Sequence, residues 1–211
     1  MDADAIELRV LGCLLEKQRT TPDQYPLTLN ALRLACNQST NRDPIVEYDE
    51  REIHEALQRL ARRGWTRVAS GPGSRAAKYR QLFDQELGLE RDTTAVLCVL
   101  MLRGPQTPGE LKQRTERLHR FDGLGDVLAT LDALIGRDLV ERLDRRPGQK
   151  EERYRHLLGR TDDARDDTPS PAVPGPSPAT IDDALEPRVA ALESEVERLG
   201  ELVRSLEARL D

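Results

Sequence analysis

A chain of 211 residues with 33% charged and only 3% aromatic side chains has material for small, helix-rich cores and for one or two domains. No apolar run approaches the ~20 residues that a membrane-spanning helix needs; the longest, Ala95–Leu102, is less than half of that. The net charge of −6 excludes a uniformly basic nucleic-acid-binding chain. That charge is unevenly spread. Residues 1–81 hold thirteen Lys/Arg against eleven Asp/Glu, residues 82–160 fourteen against fourteen, and residues 161–211 five against thirteen. The acidity belongs to the tail, and nucleic-acid contact by the near-neutral body would depend on local basic stripes.

In chain order, Ile6, Val10, Cys13 and Leu14 recur at helical spacing and predict a first helix over residues 4–17. TTPDQYP is a turn-rich connection with room for a short strand. Thr28 is placed to cap a second helix carrying Leu29, Leu32 and Cys36 on one face. Residues 37–44, NQSTNRDP, then supply eight polar and turn-forming residues where a helix-turn-helix would have a tight turn. Asn37 can cap the preceding helix, Asn41 or Asp43 can make a side-chain turn, and Pro44 fixes the exit. Gln38, Ser39, Thr40 and Arg42 remain. Either they close a polar network onto Glu16–Lys17–Gln18, or Thr40, Asn41 and Arg42 face a phosphate. Asp49 and Glu52 form a capping-box pair opening a third helix with Ile53, Leu57 and Leu60 inward, ended by Gly64. WTRVA and AAKYRQL read as strands around a hairpin at Ser70–Arg75.

The order then returns. Thr93 is expected to cap an apolar helix over 94–102, TPGEL (107–111) opens another, and 122–136 form a third with Val127, Leu131 and Leu134 inward. Strands are expected near 139–143 and 152–157, around RRPGQK. ALQRLARRGWTRVASGPGSRAAKYRQL (56–82) resembles TLDALIGRDLVERLDRRPGQKEERYRHL (130–157), which marks a duplicated module rather than a solenoid. The predicted fold class is α+β, mostly helical: tandem winged helices, helix-turn-helix units with a β-wing, over 1–83 and 90–159. Residues 160–183, rich in Pro, Asp, Ser and Ala, read as a disordered acidic linker. In 184–211, Val189, Val196 and Val203 alternate with Leu192, Leu199 and Leu206 at heptad spacing. β-branched a positions with Leu at d favour a parallel two-stranded coiled coil, hence a homodimer. The alternative is an amphipathic helix folded back on its own body.

GCLLEKQRTTPDQYPLTLNALRLACNQSTNRDP (12–44), RGPQTPGEL (103–111) and RPGQKEERYRHL (146–157) resemble the YceH-like family of bacterial cytoplasmic proteins. The resemblance covers about residues 6–158 and implies tandem winged-helix domains, but it implies little about activity. This chain departs from the pattern at Ser39, where relatives commonly have Lys, and so lacks one candidate anion-holding side chain.

Cys13, Cys36 and Cys98 lie far apart in apolar runs, with no Cys-x-x-Cys pair, and read as buried reduced thiols. The Met-Asp-Ala-Asp start has no basic segment ahead of an apolar one, so the cytoplasm is the expected compartment. His54, His119 and His156 are scattered, without metal-ligand spacing. Nucleophile-elbow, phosphate-loop and dinucleotide signatures are missing, so neither enzyme chemistry nor a cofactor is expected.

Two winged helices point to double-stranded DNA as partner. Arg67, Arg75, Lys78 and Arg80 cluster on the first hairpin; Arg142, Arg145, Arg146, Lys150, Arg153 and Arg155 on the second. The third helices argue against base reading, because Asp49, Glu50, Glu52 and Glu55 in one, and Asp122, Asp126 and Asp132 in the other, would repel phosphates. The expectation is DNA contact through basic wings with weak sequence preference. The rival is a non-catalytic adaptor binding another protein through its winged helices and zipper.

Overall fold

The computed structural model describes residues 2–69, 76–145 and 151–159. Arg75, Arg146 and Lys150, the linker and the heptad residues Val189, Leu192, Val196, Leu199, Val203 and Leu206 lie outside the described residues. The described chain is α+β with two small antiparallel sheets. All of it belongs to one compact unit, Met1–Asp163.

Helix α1, Ala5–Thr20, starts in a capping box between Asp4 and Glu7. It runs one turn beyond the expected end. A one-turn 3-10 segment, Pro22–Gln24, leads to strand β1, Leu27–Thr28. Thr28 then caps α2, Leu29–Cys36, by accepting from the Ala31 amide at 3.2 Å. Asp49 and Glu52 satisfy each other's backbone amides at 2.8 Å and open α3, Glu50–Arg62. Strands β2, Thr66–Val68, and β3, Lys78–Gln81, complete a sheet of order β1–β3–β2. The short helix α4, Phe83–Glu86, was not legible in the sequence; it seats Phe83 in the core, edge-on to Trp65 with ring centroids 5.0 Å apart.

The second half begins with α5, Arg91–Arg103. Thr93 is not its cap, as the sequence suggested. The helix starts behind Glu90, and the Thr93 hydroxyl donates to the Glu90 carbonyl at 2.9 Å instead of accepting from a free amide. Thr107 and Glu110 form the capping box of α6, Pro108–Thr115. Asp126 accepts from the Gly123 amide at the start of α7, Leu124–Ile135. Strands β4, Val140–Leu143, and β5, Arg153–His156, pair antiparallel.

The two halves repeat several backbone details. The Trp65 amide bonds the Leu60 carbonyl and the Leu139 amide the Leu134 carbonyl, both at 3.0 Å. The residue before each, Gly64 (φ 77°) and Asp138 (φ 54°), is left-handed. Leu27 of β1 faces Tyr79 of β3; in the second copy the single residue Gln106 faces Tyr154 through bonds of 3.0 and 2.8 Å. Both tyrosines are buried.

One hydrophobic cluster runs through both copies, from Leu11, Leu14, Ile53 and Leu60 to Leu97, Leu100, Leu131 and Leu134. Its centre is the packing of α1 on α5. Gly12 permits the approach: a Cβ there would lie 2.8 Å from Leu102 Cδ2. The Cys98 thiol donates to the Gly12 carbonyl at 3.4 Å. All three cysteines are free and buried, as their apolar settings implied, and burial pushes the Cys98 thiol well up from its ordinary pKa.

Candidate functional site

The 37–44 segment is pinned from below by two buried arginines. Arg9, on α1, donates to the Cys36 carbonyl at 3.0 Å and the Pro44 carbonyl at 2.6 Å, holding both ends of the loop. Arg42 turns inward. Its Nε donates to the Ala35 carbonyl at 3.1 Å, and its two terminal nitrogens meet Glu16 at 3.1 and 2.6 Å, the Asn41 carbonyl at 2.9 Å and Gln38 Oε1 at 3.1 Å. All five guanidinium N–H groups are thereby used. Burial alone would lower the pKa of Arg42, but the Glu16 carboxylate outweighs it and the value is raised. Arg42 therefore closes the network onto Glu16 and presents nothing to solvent.

Asn37 is the C-cap of α2, its backbone amide donating to the Arg33 carbonyl at 3.1 Å, which leaves its side chain free for the next segment. Its side-chain amide brackets Tyr48, donating to the Tyr48 carbonyl at 2.8 Å and accepting from the Tyr48 amide at 3.0 Å. Asn41 is left-handed at φ 60° and its Oδ1 accepts from Arg103 of the second copy. Thr40 and Asn41 are exposed. Of the loop residues singled out in the sequence, Asn37 and Arg42 are thus internal ties, and Thr40 and Asn41 face outward.

The two hairpins differ in their electrostatics. In the first, Arg67 lies directly opposite Arg80 across β2 and β3. Tyr79 and Gln81 point into the core, so Lys78 and Arg80 share the outer face with Arg67. Like charges placed opposite one another are unfavourable unless a counter-charge lies between them. Neither Arg67 nor Arg80 makes an ion pair among the described residues, and Arg80 Nε is buried without a hydrogen-bond partner there.

In the second hairpin every described arginine meets a carboxylate. Arg142 and Arg145 approach Glu152 at 3.4 and 3.5 Å. Arg155 pairs with Glu141 across the strands. Arg153 reaches Glu110 at 3.4 Å and the Pro105 carbonyl at 2.7 Å. The sequence could not assign these cross-strand and loop carboxylates to particular arginines, because the strand register decides which groups meet. The start of α3 is likewise internally paired: Glu52 caps, Glu50 lies 3.9 Å from Arg33, and Arg51 lies 3.3 Å from Glu55.

Among the described residues no helix is long and apolar enough to cross a membrane, and no cluster of His, Cys, Asp and Glu could hold a metal ion. A family model described as "Protein of unknown function, DUF480" matches residues 3–149. A "UPF0502 protein" of Klebsiella pneumoniae (strain 342) is 46% identical over 214 residues, covering 98% of this chain and 94% of that protein. With the family match covering residues 3–149 and the relative aligned over nearly the whole chain, the chain belongs to the DUF480/UPF0502 family of bacterial proteins.

Proposed function

We propose that the chain is a tandem winged-helix protein that binds double-stranded DNA, chiefly through the hairpin of its first copy. The element order α1–β1–α2–α3–β2–β3, with β1 beside β3, supports the winged-helix reading of that copy. The observation that carries the DNA reading is the Arg67–Arg80 cross-strand pair with Lys78 on the same outer face. Two arginines set opposite each other across the strands, neither paired with a carboxylate among the described residues, suit a phosphate contact. The self-paired, acidic start of α3 supports contact with the backbone rather than the bases, and so weak sequence preference.

The test is fluorescence anisotropy of full-length protein on unrelated duplexes across a salt series. Arg67→Ala/Arg80→Ala is expected to weaken binding about equally on every sequence and to lower the log–log salt slope by about two. Arg142→Ala, whose guanidinium is already paired, should change little. No binding at low salt, or an unchanged affinity in the double variant, would sink the reading. A protein partner is the second reading, favoured by Leu124 and Leu128, one turn apart on α7 and 47% and 38% exposed.

A further inference from the structure

Where the two copies meet, the end of α1, the 37–44 loop and helices α5 and α6 line a cleft of about 570 Å³ that is open to solvent. This lies within the range of ~300–1,000 Å³ typical of small-molecule sites. Its wall has two characters. Val99, Leu102 and Leu118 supply an apolar side. Lys17 from the first copy and Arg103, Arg114 and Arg117 from the second supply a cationic one.

The positive charge is not balanced from within. Glu16 is the one carboxylate that lines the cleft among the described residues, and the Arg42 fork already holds it at 2.6 Å, with Lys17 at 3.7 Å. Arg114 approaches Glu110 at 3.5 Å, but Arg153 shares that carboxylate at 3.4 Å. Asp43 acts on Arg103 from outside the wall. Arg117 is exposed and makes no ion pair among the described residues. The pKa of Arg103 is held down first by burial and then by the neighbouring Arg114 and Arg42. A bound anion would offset these like charges.

We infer that this cleft binds a small phosphorylated molecule. Its phosphoryl group would lie among Arg103, Arg114 and Arg117, and its less polar part against Val99 and Leu102. Three guanidinium forks and an ammonium match a doubly charged, three-oxygen group better than a single carboxylate, which would leave most donors unused. The loop takes part through its outward residues. Thr40 and Asn41 line the cleft, and Asn41 is fixed there by its bond from Arg103. The inference stands apart from DNA binding, since none of these residues lies on the first hairpin.

The probe is pyrophosphate, titrated into full-length protein at matched ionic strength and followed by calorimetry and by the thermal unfolding midpoint. Saturable binding with Kd below about 1 mM and a rising midpoint are expected. Arg114→Ala/Arg117→Ala should weaken it by about tenfold or more. Arg117→Ala alone, an exposed change that leaves the fold alone, should weaken it measurably and decides the matter if the double variant is unstable. Arg67→Ala/Arg80→Ala should leave pyrophosphate affinity unchanged. Absence of saturable binding up to about 10 mM, binding that survives loss of the cleft arginines, or binding that disappears with the hairpin pair would each overturn the inference.

Discussion

Arg42 sits in a segment that reads as surface, between Asn41 and Asp43, yet its side chain is fully buried. The reason is a matched requirement: Glu16 and the Ala35 carbonyl both need donors at one place, and a guanidinium supplies them as a rigid fork. Arg42→Met should cost about 3 kcal/mol, because it leaves a partly buried carboxylate with only the more distant Lys17, at 3.7 Å. Arg42→Lys, which keeps the charge but loses the fork, should cost about 1–2 kcal/mol. Urea denaturation checks both, and equal losses for the two variants would mean that charge alone matters. The sequence leaves Arg42 two alternatives, Glu16 or a phosphate. It could go no further because local polarity does not say which way a side chain turns.

At the level of elements, most of the described helices and strands were legible. The capping residues Thr28, Asp49 with Glu52, and Thr107 lie at helix starts because each removes a free backbone amide, a requirement that is local in sequence. Thr93 failed as a marker for the same physical reason: a hydroxyl can donate backward as well as accept. The contact between α1 and α5 was illegible, since nothing local distinguishes Gly12 from a tolerated helical glycine. Its role appears only against Leu102. Gly12→Ala is therefore expected to destabilise by about 1–3 kcal/mol through overpacking, more than the roughly 1 kcal/mol that Ala gains over Gly in a helix. Thermal unfolding measures the net sign, and a stabilised variant would show that the two helices can part at little cost.

At the scale of the whole molecule, the shared core couples the copies. Trp65, the single tryptophan of the chain, is buried in the first copy, whereas Leu131 is buried in the second. Leu131→Ala, expected to cost about 2–5 kcal/mol, should shift the Trp65 fluorescence transition and the far-ultraviolet dichroism transition together. Separate midpoints would show two independently melting halves. The internal repeat foretold matching copies, but not that the buried face of α5 packs on α1, which removes that helix as a surface for pairing between chains. Because α1 and α5 are the same element of the two copies, their contact joins like to like, as an isologous dimer interface does. A protein with one copy would need a second molecule to cover its first helix, and would come apart on dilution. Here the partner is tethered in the same chain, so closure of the core is first-order and its strength does not depend on how many molecules the cell holds.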